Sequence, residues 1–112
     1  MVENKAIKAV KFLQQCLQKK GLNVSKLIFF GSQSKGKATE ESDIDVVIIS
    51  EDFQDKDIFD RAEITKEAEI MTIKKFLIPL DIITLTPEEF ESGISLIAEF
   101  AKEGEVIYEA FR

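Results

Sequence analysis

Asp43-Ile44-Asp45 runs without a break into Val46-Val47-Ile48-Ile49, so two carboxylates sit at the mouth of a segment with no polar face. A strand sends successive side chains to opposite faces, which puts Asp43 and Asp45 on one face with Cα atoms roughly 6.5–7 Å apart. The apolar run beyond them covers both faces, the signature of a strand in the interior of a sheet. A chain containing it must therefore build a covered sheet and bring a carboxylate pair to one end of a central strand.

The surrounding segments supply that sheet and its cover. Ile7, Val10, Leu13 and Leu17, with Ala6 and Cys16 beside them, recur at helical spacing between about Glu3 and Lys20, with lysines and glutamines on the other face. Gly21 suits the stop of this helix. Lys26 to Phe30 is a short apolar strand ended by Gly31, and residues Ser32 to about Lys37 can form a short helix limited by Gly36. The central strand spans Asp43 to Ser50. Acidic residues then open a long helix from about Gln54 to Lys75 bearing Ile58, Phe59, Ala62, Ile70, Met71 and Ile73, with Pro79 marking its exit.

Leu80 to Leu85 reads as a third strand and Thr86-Pro87-Glu88-Glu89 as a capping box with proline at the first helical position. Gly93 divides a short helical turn from a second helical segment, Ile94 to Lys102, and Gly104 precedes an edge strand over Glu105 to Tyr108. Helices alternating with strands give an α/β fold of mixed α+β type, a small mixed sheet covered by helices. At 112 residues, 1–112 form one domain with a single core. A larger acceptor surface has to come from another chain.

Composition closes off several chemistries. One cysteine and no histidine exclude an internal disulfide, a Cys/His zinc site and a histidine general base, which leaves carboxylates. A net charge of −6 argues against a broad nucleic-acid-binding surface, and hence against a processive polymerase. No apolar run approaches the ~18 residues of a membrane span. Lys5, Lys8 and Lys11 interrupt what a secretory signal would need, so the cytoplasm is the expected location.

Gly31 permits a backbone conformation closed to other residues, and Ser32 adds a hydroxyl and an amide at a helix start. Together they can cradle a phosphate, or simply form a strand-to-helix turn with serine as cap. Asp43 and Asp45 are open to two readings as well, a solvated strand start or a metal pair. Two half-buried carboxylates on one face repel unless a cation neutralises them, and magnesium takes oxygen ligands shared with substrate phosphates. Asp81 is a lone charge in an otherwise core-like strand, and its burial would cost several kcal/mol unless it were paired or faced a cleft. An edge-strand aspartate reaching water is the alternative. If the three converge, they suit an in-line phosphoryl displacement. Lys35 can steady a triphosphate or be solvated. Leu96 and Phe100 lie on a different helix face from Ile94, Ile97 and Ala101, a pattern open to partner contact as well as to core burial.

Phe30-Gly31-Ser32-Gln33-Ser34-Lys35-Gly36, followed by Ser42-Asp43-Ile44-Asp45-Val46-Val47-Ile48, resembles the signature of the DNA polymerase beta-like nucleotidyltransferase superfamily, and the chain is similar in length to its minimal nucleotidyltransferases. The resemblance implies the polymerase beta-like palm fold, with Gly31 and Ser32 on the nucleotide phosphates and Asp43, Asp45 and Asp81 on magnesium, as two ions. Lys35 stands where small members often carry arginine, which keeps the charge but loses the planar bidentate contact. It further implies transfer of a nucleoside monophosphate, AMP from ATP, onto a tyrosine of a HEPN-type helical partner, in a toxin-antitoxin pair where this chain is the antitoxin. Two alternatives stay open. One is a catalytically silent module that neutralises its partner by sequestration. The other is a small-molecule, antibiotic-type nucleotidyltransferase whose acceptor pocket forms in a homodimer.

Overall fold

The computed structural model describes residues 5–30, 44–92 and 105–109. The apolar spacing of the first segment yields helix α1, Lys5–Lys19, which buries Ala6, Ala9, Val10, Leu13, Cys16 and Leu17 along one stripe. It stops where Gly21 turns to φ +93°. The Leu22 amide then reaches back to the Leu17 carbonyl at 3.1 Å and the Gly21 amide to the Gln18 carbonyl at 3.0 Å, satisfying carbonyls that the helix end would leave open.

Strand β1, Val24–Phe30, pairs antiparallel with β2, Ile44–Ser50. A polar corner ties the start of one to the end of the other. Ser50 Oγ donates to the Asn23 carbonyl at 2.7 Å and accepts from the Asp52 amide at 3.0 Å, while Asp52 accepts from the Asn23 amide at 2.8 Å. A short 3-10 turn, Glu51–Phe53, follows and delivers Phe53 into the core with no exposed surface.

Helix α2, Ile58–Phe76, starts on Asp57, whose carboxylate accepts from the Asp60 amide at 2.8 Å. The acids just before it belong to the turn and the cap, so the helix begins later than its acid-rich approach suggests. Its inward stripe also differs from the apolar residues conspicuous in the sequence. Thr65, Ala68 and Thr72 are buried, with Ile64 and Phe76 partly so, whereas Ile58, Phe59, Ile70 and Met71 are exposed. Small residues let α2 lie close to α1 and the sheet, and the hydroxyls of Thr65 and Thr72 are satisfied by carbonyls of their own helix.

Strand β3, Leu80–Leu85, runs parallel to β2, and α3, Pro87–Ser92, follows. The capping box forms as expected. The Glu89 amide donates to Thr86 Oγ1 at 3.1 Å and the Thr86 amide to Glu89 Oε1 at 2.8 Å. The final strand β4, Glu105–Glu109, pairs antiparallel with β1. Sheet order is β3-β2-β1-β4, a mixed sheet with the apolar β2 in its interior and β4 at one edge.

The period of two along β2 separates two cores. Ile44, Val46 and Ile48 point with Leu27 and Phe29 into the layer made by α1, Phe53 and Ala68 of α2. Val47 and Ile49 point to the opposite face, where Ile28, Leu85 and Phe90 complete a smaller cluster. The expected helices over Ser32 to Lys37 and Ile94 to Lys102 lie outside the described residues. Among the described residues, no helix is long and apolar enough to cross a membrane.

Candidate active site

Three strand ends meet at one corner of the sheet. Phe30, the last residue of β1, lies opposite Asp45 near the start of β2, and Asp45 lies opposite Asp81 near the start of β3. Adjacent strands stand about 4.8 Å apart, and residues directly opposite share a face. Asp45 and Asp81 thus occupy the face of Val47 and Ile83, away from α1 and α2. Phe90 of α3 covers that face further along the strands and leaves the carboxylate corner beyond it.

The two carboxylates differ in exposure. Asp45 is half-buried on the central strand, whereas Asp81 is exposed, because β3 is the edge of the sheet rather than a core strand. Of the two readings open for Asp81, this exposure matches the edge-strand aspartate rather than a charge embedded in the core. Asp81 reaches water, so no desolvation cost has to be offset, and it still faces Asp45 across the ladder. Asp43, Gly31, Ser32 and Lys35 lie outside the described residues. The sequence leaves β1 for Gly31 at the residue paired with Asp45, and it enters β2 from Asp43.

A carboxylate that sequence reasoning did not single out lies near Asp81, which at the sheet edge also borders the α2 side. Glu69 of α2 lines a cleft with Asp81, walled by Thr65 of the helix and by Leu80, Ile82 and Thr84 of the strand, with a volume of about 200 Å³. Partial burial, and then the like charge of Asp81, hold the Glu69 carboxyl above the ordinary glutamate value. Nothing in the sequence marks it among the many acids of α2, because its distinction comes from how the helix lies against the strand. The acidic approach to α2 takes no comparable position, since Asp57 is a cap and Asp52 a strand-corner acceptor.

The far end of the same cleft is pinned by Arg61. Its Nε donates to the Phe53 and Lys56 carbonyls at 3.2 and 3.0 Å, and its Nη1 donates to the Thr84 carbonyl at 3.4 Å and to Glu89 Oε1 at 2.9 Å. Burial pushes the Glu89 carboxyl up, but the Arg61 hydrogen bond, the Thr86 amide, the Arg61 charge and the Thr86 hydroxyl outweigh it. Glu89 therefore lies below the ordinary range. One guanidinium thus fastens α2, the end of β3 and the start of α3 together.

Asp45 and Asp81 suit a hard divalent cation by chemistry: two carboxylates on adjacent strands and one face, one of them exposed. Among the described residues no group of three or more acids, histidines or cysteines is arranged to hold a metal ion. The third donor of the expected set, Asp43, lies outside them.

Residues 7–108 match the nucleotidyltransferase domain family. A protein of Methanocaldococcus jannaschii named "Putative protein adenylyltransferase MJ1305" is 32% identical over 79 residues, which make up 70% of this chain and 53% of that protein. The chain thus spans about half the length of that relative. A toxin-antitoxin crystallised with AMP-PNP superposes with a TM-score of 0.64 at 17% identity, covering 89% of this chain and 73% of the other. A "putative nucleotidyltransferase" from Sulfolobus solfataricus superposes with a TM-score of 0.54 at 16% identity, covering 96% of this chain and 90% of the other. At such identities the superpositions speak for the fold.

Proposed function

This chain belongs to the nucleotidyltransferase domain family, and we propose that it moves AMP from ATP onto a hydroxyl acceptor, a tyrosine of a HEPN-type helical partner, as the antitoxin of such a pair. The observation that carries this reading is the register that sets Asp45 opposite Asp81 on one face of the sheet. The relative named as a protein adenylyltransferase and the toxin-antitoxin neighbour with AMP-PNP support the choice of nucleotide and partner.

In this reading Asp43, Asp45 and Asp81 hold magnesium. The metal supplies charge neutralisation for the triphosphate and its leaving group. Gly31 and Ser32 present backbone amides and a hydroxyl to the phosphates, and Lys35 adds a point charge. The acceptor oxygen forms a bond to the α-phosphorus, the bond from that phosphorus to the bridging oxygen breaks in line, and pyrophosphate leaves. The hydroxyl proton passes to a carboxylate, and Asp81 suits that role because an acceptor can reach its exposed side chain.

The test is calorimetric titration with each nucleoside triphosphate, with and without magnesium, on the parent chain and on a chain carrying Asp43→Asn and Asp45→Asn. Magnesium-dependent ATP binding that disappears in the variant is the expected result. Equal binding by both proteins would remove the metal assignment. Sequestration without catalysis stays as a second reading, favoured by the exposed Ile58, Phe59, Ile70, Met71 and Leu77 along and just beyond α2, apolar area that a stable partner would cover. Neutralisation that survives the same substitutions would select it.

A further inference from the structure

The outer edge of β3 has the features of a docking strand. The Ile44 amide donates to the Pro79 carbonyl at 3.0 Å, which sets the phase of the parallel ladder. Alternate residues Pro79, Asp81 and Ile83 turn their backbone groups toward β2, and Leu80, Ile82 and Thr84 turn theirs outward. Arg61 donates to the Thr84 carbonyl, one of the groups this phase turns outward. Leu80 and Ile82 line the cleft under α2, beside Ile58 at 73% exposure.

From this arrangement we infer that an extended segment of the acceptor protein adds to β3 as a fifth strand, carrying basic and apolar side chains and delivering its hydroxyl residue opposite Asp81. The inference rests on the nucleotidyl-transfer reading and adds how the acceptor is held. Across a ladder, opposite residues share a face with Cβ atoms about 5 Å apart. A hydroxyl residue opposite Asp81 therefore extends the row Asp45–Asp81 by one position, onto the carboxylate face. Main-chain pairing with the edge supplies affinity, and alternate side chains supply choice.

Charge selects the occupant. Among the described residues that line the cleft, Glu69 and Asp81 carry the charge, while Arg61 at its far end is engaged by Glu89, in a chain of net charge −6. A second copy would bring these acids against their own kind, whereas a basic segment meets them with opposite charge.

The probe is a pooled set of short synthetic peptides that alternate basic and apolar residues around a central tyrosine. A matched set is N-methylated at alternate amides, so that it cannot pair with a strand edge. Amide hydrogen exchange at Leu80 and Ile82 is followed by NMR on the full chain, and Mg·ATP binding is titrated separately. The unmodified peptides are expected to slow exchange at both amides by about tenfold or more, and the N-methylated set to leave it unchanged. Equal effects of the two sets, no slowing at saturating peptide, or slowing that grows with protein concentration alone would each overturn strand addition. Failure of Mg·ATP binding with peptide pairing intact would instead sink the nucleotidyl-transfer reading and leave the docking edge standing.

Discussion

Asp45 and Asp81 stand directly opposite one another across the parallel β2/β3 ladder, one half-buried on the interior strand and the other exposed at the edge. Like charges held this close favour the folded state less than neutral side chains would, unless a cation joins them. Asp81→Asn is therefore expected to leave melting without metal unchanged or slightly raised, and to remove the further rise that Mg·ATP gives the parent chain. Transfer should fall on the order of a hundredfold or more if Asp81 takes the acceptor proton. Thermal melts with and without Mg·ATP, paired with mass measurement of the modified acceptor, check both halves. A variant that keeps full transfer would end the assignment.

Glu69 offers a pH signature of the same corner. Its carboxyl lies above the ordinary glutamate value because of partial burial and then Asp81, so the folded chain takes up this proton more readily than the unfolded chain does. Its contribution is fully present below the unfolded value and is lost as pH rises through the folded one. At neutral pH the charged Glu69 is thus a liability. Glu69→Gln should raise the melting temperature at pH 7, with the gain vanishing in acid below the ordinary glutamate range. A melting series from about pH 3 to pH 8 shows this directly, and an advantage that persists unchanged into acid would mean the charge is not its source.

Much of this was legible from residue pattern, and the limits have physical reasons. The interior position of β2 followed from Val46-Val47-Ile48-Ile49, because four apolar residues in a row leave a strand no solvated face. The capping box at Thr86 and Glu89 followed from local chemistry alone. Helix α2 misled on its faces, since burial there is set by close approach at Thr65, Ala68 and Thr72, a tertiary property that side-chain hydropathy does not encode. Asp81 stood out as a lone charge, but its place at an edge was only one of two readings, because an apolar run suits a central strand and a covered edge equally well. Glu69 had no signal in the sequence, as its raised carboxyl depends on a neighbour twelve residues away in the chain. Asp43, Gly31, Ser32 and Lys35 remain readings from sequence.

Two helix stops make opposite predictions from the same backbone region. Gly21 and Leu77 both close helices in left-handed conformation, at φ +93° and +58°. Nothing lies within 4 Å of a Cβ placed on Gly21, so Gly21→Ala meets no neighbour but takes on the strain of a side chain at positive φ, costing about 1 kcal/mol of stability. Leu77 is 80% exposed and already bears that penalty. Leu77→Gly should stabilise by up to about 1 kcal/mol, reduced by the greater freedom of glycine in the unfolded chain. Urea unfolding of both variants tests the pair, and a destabilised Leu77→Gly would show that the exposed leucine makes a contact worth more than its strain.

Arg61 and Glu89 carry the last prediction, because their pairing joins three elements that only tertiary folding brings together. The guanidinium donates to three carbonyls as well as to Glu89, and its side chain is 14% exposed. Arg61→Ala should therefore cost about 2 kcal/mol, the value of losing charge-assisted bonds to partly buried acceptors. Glu89 is more exposed, at 45%, so solvent screens much of its pairing and Glu89→Gln should cost less. Its carboxyl is held below the ordinary range, so its contribution is present above the unfolded value and is lost as pH falls through the folded one. The gap between the parent chain and Glu89→Gln should be full at neutral pH and close in acid, the reverse of the Glu69 pattern. Denaturant unfolding at pH 7 and pH 3 measures it, and a gap that persists at pH 3 would assign the stability to packing rather than to the carboxylate.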